Sequence, residues 1–249
     1  MADQMAAATP ASPPPMGEIA RLSGVLFEPS AAFRDISTHT RWWPPLAIIA
    51  VLSLGFIFMF SQRVGFERFV RQQMDLNPKI QQMDPAQREQ ALAVSMKITP
   101  VIVYVAAVAA LPVITLIVSA VFLLIFRTFL GAAVAFGQVF AVCCYALVPY
   151  ILSSIMSFAV LMLKDPDQFD LQNPSPTNIA AFLDVTSTPK WEYSLATSID
   201  VFTFWVLVLL ATGLSVASRK ISWATSLTCV VGSWALYILI KVGLAAAFS

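Results

Sequence analysis

Two charged side chains, Asp200 and Lys241, lie clearly inside long apolar runs, and they have the most scope for chemistry. An ionisable group in hydrocarbon is costly, so each points to a partner, a pathway or a helix end. Asp200 stands eighteen positions before Ser218, and Lys241 eighteen after Trp223. At about 1.5 Å per residue both lie roughly 27 Å from the intervening turn, hence at one level. Three readings stay open. The two can form a contact between neighbouring helices, or they can line a proton or ion pathway. They can also act separately, with Asp200 in the first turn of its helix and Lys241 reaching to the interface.

The second cluster is the string YALVPY, with Tyr145, Pro149 and Tyr150 in one apolar run, 139–163. Proline there bends a helix and frees a carbonyl that lipid cannot satisfy. A neighbouring helix, the Ser153 or Ser154 hydroxyl, or a held water should satisfy it, which puts this run at the centre of a bundle.

Little else is suited to catalysis or metal binding. His39 is the only histidine, and Cys143, Cys144 and Cys229 sit in apolar runs without metal-ligand spacing, as packing residues. Asp165, Asp167 and Asp170 have the spacing of a calcium loop but lack its central glycine and closing glutamate. There is no H-E-x-x-H, G-x-S-x-G or P-loop string and no pair of intramembrane aspartates. No cofactor and no metal are expected, and the chain does not read as an enzyme.

The elements that would hold these residues follow from composition. The chain is 58% hydrophobic and 12% charged, against about 25% charge in a soluble domain. The expected fold is all-α, a polytopic membrane bundle of five spans with amphipathic surface helices. Spans are expected at about 46–61, 98–126, 139–163, 199–217 and 223–248, each near or above the length that crosses a bilayer. Residues 1–16 form an Ala/Pro-rich tail expected to be disordered, and 17–249 one membrane domain. Residues 18–36 read as a two-part amphipathic segment on the membrane surface, broken at Pro29. Phe27, Phe33, Trp42 and Trp43 are the expected membrane-interface residues. Between spans one and two, an apolar stripe over Phe66, Phe69, Val70 and Met74 marks one surface helix. Asp84-Pro85 starts another. Ser175-Pro176 should cap a short helix carrying Ile179, Phe182 and Leu183.

Arg127, Arg219 and Lys220 fall in short loops on the N-terminal side, and the acidic 164–193 loop on the other, which favours a cytoplasmic N-terminus. The Arg-rich 62–97 stretch would then lie outside. With a net charge of +1, nothing points to nucleic acid. Ala106, Ala110, Gly213 and Ala217 allow close helix approach, within one copy or in a homo-oligomer.

LFEPSAAF (26–33), RWWPPL (41–46), YALVPY (145–150) and IDVFTFW (199–205), with Gly213 later in the same helix, together resemble the Yip-one family, five-span proteins that interact with Ypt/Rab GTPases. The layout is most similar to its prokaryotic branch, and the resemblance covers roughly 20–248. It implies a cytosolic N-terminus in a multi-pass (inner) cell membrane. For eukaryotic members it implies lipid-modified small GTPases as partners and a role in shaping or sorting vesicles. By position Tyr145, Pro149, Tyr150, Asp200 and Trp205 match the family's patterned residues. The expected function is a non-enzymatic scaffold or adaptor contacting membrane lipids and a protein partner. The alternative is a small-solute or ion transporter, with its path past Pro112, Pro149, the two tyrosines and the Asp200–Lys241 level.

Overall fold

The computed structural model describes residues 14–166, 169, 171, 173–185 and 187–247, with Pro78 described through its backbone alone. Most of the expected 1–16 tail, and Asp167 and Asp170 of the calcium-like spacing, lie outside the described residues. Among the described residues the protein is all-α, with no strand beyond one isolated bridge between Asn178 and Asp200.

Helices α1 (Glu18–Phe27) and α2 (Pro29–Thr38) are separated by Glu28 alone. Proline cannot extend α1, but its fixed φ suits the first position of α2. Helix α3 (Trp43–Arg63) takes Pro44 and Pro45 into its first turn. Gly65, at φ +86°, turns the chain into α4 (Phe66–Asp75). The single turn α5 (Pro78–Gln81) leads to α6 (Pro85–Leu124), where Asp84 accepts the Gln87 N–H at 2.9 Å.

The expected surface helix at Pro85 and the expected second span are one rod of forty residues, running through Pro100 and Pro112. It is about 60 Å long, so its first part projects beyond the bilayer. Leu92 there packs with Val70 and Met74 of α4. The two apolar stripes cover each other, so the buried face of α4 rests on α6. A wider turn over Ile125–Phe129 closes the rod and buries Phe126.

Helices α7 (Phe136–Ala146) and α8 (Pro149–Leu163) make up the third span and break between Ala146 and Pro149. Pro149 leaves the Tyr145 carbonyl without its helical donor. That carbonyl accepts the Val148 N–H at 3.1 Å in a tightened turn. None of the groups expected to satisfy it is needed; the Ser154 hydroxyl bonds the Tyr150 carbonyl instead.

Beyond α8 a 3₁₀ turn, Ile179–Phe182, is capped by Asn178, whose Oδ1 accepts the Ala181 N–H at 3.1 Å. The expected cap, Ser175, pairs with Thr177. Helices α9 (Lys190–Ala196), α10 (Val201–Ser218) and α11 (Trp223–Ala247) complete the fold.

Among the described residues five units are long and apolar enough to cross a membrane: Trp43–Arg63, Pro85–Phe129, Phe136–Leu163, Val201–Ser218 and Trp223–Ala247. The centre is α7, buried at every position from Val139 to Ala146, together with α10. Cys143 and Cys144 are unpaired packing residues there. Helices α6 and α11 are peripheral and expose apolar rows such as Ile117 and Leu239.

Candidate functional site

A buried network of ion pairs lies where α1 and α2 meet α7 and α10. Both short helices are amphipathic, and Val25, Ala32, Phe33 and Ile36 are fully buried in the main core. The inner apolar face of the segment is keyed into the end of the bundle. Phe33, expected at the membrane interface, is enclosed instead. Its ring presses on α10 at Gly213, where a Cβ would stand 3.0 Å from the ring and 2.5 Å from Val142 Cγ1. Only glycine fits that crossing. Phe27 remains highly exposed, and Trp42 and Trp43 are also exposed, with the Trp42 ring 5.3 Å from Phe140.

Charge follows the same buried face. Arg21 is 2% exposed. Its guanidinium donates to Asp35 Oδ2 at 2.6 Å and to Glu18 Oε1 at 3.3 Å. Arg41 reaches Glu18 Oε1 at 3.0 Å from the start of the first span. From α7 the Tyr145 hydroxyl donates to Glu18 Oε2 at 2.6 Å. A helical side chain leans toward its own N-terminus, which brings this hydroxyl up to the hairpin. Asp35 Oδ1 accepts the Met16 N–H at 3.1 Å and lies 3.2 Å from His39 Nδ1. Gln138 of α7 adds a bond to the Ser37 carbonyl at 3.0 Å.

Burial works against the Arg21 charge, but hydrogen bonds to Asp35 and Tyr145 and the attraction of Asp35 and Glu18 outweigh it and raise its pKa. Burial likewise pushes the Asp35 carboxyl up. The Met16 amide, the Arg21 guanidinium and the His39 ring hold it net below its ordinary value. Both groups therefore stay charged near neutrality. The network is a lock between hairpin and bundle, and Tyr145 is its intramembrane bolt.

At the far end Asp200 caps α10, accepting the Phe202 and Thr203 N–H groups at 2.8 and 3.1 Å and the Thr177 hydroxyl at 2.5 Å. The Tyr150 hydroxyl is 3.4 Å from Thr203 Oγ1, which ties this residue to the same corner. Lys241 does not pair with Asp200. Its ammonium donates to the Ser194 carbonyl at 3.1 Å and to the Thr197 and Ser198 hydroxyls at 2.9 Å each. These lie at the C-terminal end of α9, where a helix dipole favours a cation. Matching level brought both charges to one surface, but each found a nearer partner in the loop. Trp205 packs half-buried against the main core. Among the described residues no cluster of three or more His, Cys, Asp or Glu side chains could hold a metal ion.

Five spans, a break at YALVPY and an N-terminal hairpin sealed onto α10 at a glycine go together with a match to the Yip1 domain over residues 23–244. The chain belongs to the Yip1 domain family. It is thus a multi-pass membrane protein, of a family not known for enzymes. No curated protein and no solved structure matches it. The Yip1 match takes in Phe33, Asp35, Tyr145, Asp200 and Gly213, whereas Glu18 and Arg21 precede it.

Glu18, Arg21 and Asp35 did not stand out among the candidate residues. A signal was present: Glu18, Arg21 and Val25 share a helical face, and Asp35 sits among Ala32, Phe33 and Ile36. Here the charges set among those apolar positions form the buried network.

Proposed function

We propose that this Yip1-domain chain is a non-enzymatic membrane scaffold that presents a fixed N-terminal platform to a protein partner or to lipid headgroups. The observation that carries this is the locked hairpin. With its inner face held by Phe33 and the Arg21 network, α1 turns Ile19 and Phe27 outward, 84% and 81% exposed. Exposed apolar side chains on a rigid support suit docking, since little ordering cost remains to be met on binding. Residues 17–249 would act as one domain in a prokaryotic cell membrane, with the platform in the cytoplasm. The family's association with small GTPases makes a protein partner the natural occupant. Transport has less support, because Asp200 and Lys241 are each engaged by loop groups.

Deleting 17–40 would remove core residues and unfold the end of the bundle, so the test uses the double variant Ile19→Glu, Phe27→Glu. In-cell crosslinking with mass spectrometry should recover a specific protein with the wild-type chain and lose it with the variant, at equal membrane abundance. Recovery unchanged by the variant sinks the platform reading.

A further inference from the structure

A cavity of about 510 Å³ opens among α3, α6 and α8, in the half of the membrane away from the α1–α2 hairpin. It lies within the range of small-molecule sites. Helix α3 lies against both α6 and α8, which stand apart, and Leu171 and Pro174 close the outer end. Small residues create the space, among them Ala107 on α6 and Ser153 on α8. Most of the wall is apolar, and no Asp, Glu, Lys or Arg lines it.

Its hydroxyls differ in how well they are satisfied. Ser154 and Ser157 bond back to the carbonyls of Tyr150 and Ser153 at 2.7 and 3.0 Å. The Ser53 hydroxyl on α3 and the Ser153 hydroxyl on α8 have no hydrogen-bond partner among the described residues. The Tyr150 hydroxyl has only its 3.4 Å contact with Thr203. In an apolar surrounding an unmade hydrogen bond is a standing cost. A charged occupant would find no counter-ion here, and a bare hydrocarbon would leave those hydroxyls unpaired. We propose that this cavity binds an uncharged single-chain amphiphile, an acyl chain with a neutral hydroxylated head that bonds Ser53 and Ser153.

The site is separate from the N-terminal platform and does not depend on the scaffold reading. The test uses full-length protein in phosphatidylcholine nanodiscs and a diazirine-bearing monoacylglycerol, with crosslinked peptides identified by mass spectrometry. Labelling should be saturable and confined to peptides of α3, α6 and α8 around the cavity, with unlabelled monoacylglycerol competing and phosphatidylglycerol not. Ala107→Phe, which fills the space, should abolish the saturable part. The pair Ser53→Ala, Ser153→Ala preserves the volume and decides the matter if the phenylalanine variant misfolds. It should raise the half-saturating concentration about thirtyfold, as loss of two net hydrogen bonds of about 1 kcal/mol each would. Diffuse labelling along all lipid-facing helices overturns the proposal. So does saturable labelling that the folded variants leave unchanged, as with water-filled space, and so does equal competition by the anionic lipid.

Discussion

At the residue scale the seal between hairpin and bundle rests on one missing side chain. A methyl group at Gly213 would meet Val142 and the Phe33 ring well inside contact distance, and neither neighbour has room to retreat in a fully buried cluster. Gly213→Ala should therefore cost about 1–3 kcal/mol, read as a lowered unfolding temperature in detergent, whereas the same change at Gly232, with nothing within 4 Å, should not. The ion network makes a separate prediction about pH. Arg21 is raised above its ordinary value, so its contribution is complete below about pH 12 and drops out only beyond that. Asp35 is lowered, so its contribution is present above its ordinary pKa of about 3.9 and is lost as pH falls through the lowered one. From this pair, docking of the hairpin should be flat from pH 5 to 9. It should weaken only below about pH 4, followed by protease sensitivity of residues 14–40. Release near pH 6 would show that another group governs the lock.

At the element scale, some features were legible in the sequence and others depended on tertiary pairing. Hydrophobic runs and the Asp84-Pro85 start marked helices correctly, because length and capping are local properties. Which surface an amphipathic face meets is not local. The stripes of α2 and α4 suited lipid as well as protein, and only tertiary contact with α10 and α6 decides. The two intramembrane charges show the same limit, since rise per residue placed their level but not the loop that intervenes between them. Lys241 supplies three bonds to the end of α9, so it does more than reach toward water. Lys241→Leu should loosen that end by about 1–2 kcal/mol and speed amide exchange over 190–198, with α11 itself unchanged. Exchange identical to wild type would leave simple snorkelling as its whole role.

At the scale of the molecule, orientation decides which compartment sees the platform. By number alone the basic residues of the 62–97 stretch compete with those of the N-terminal side, but the fold separates the two groups. Part of that stretch rides on the projecting end of α6, beyond the apolar section, and Arg71 and Arg88 are paired with Glu67 and Asp75. Arg127, Arg219 and Lys220 instead sit directly at span ends in short connections, where basic residues weigh most on topology. The hairpin packs at that same end, against α10 near Gly213, so one orientation serves both. Cysteines at Phe182, which is 86% exposed, and at Lys220 test this directly. In intact cells an impermeant maleimide should label Phe182→Cys, and Lys220→Cys only after permeabilisation. Native Cys143 and Cys144 are buried, and the half-buried Cys229 is changed to Ser in both variants to remove its background. The reverse pattern would put Ile19 and Phe27 outside the cytoplasm, and with them any claim on a cytosolic partner.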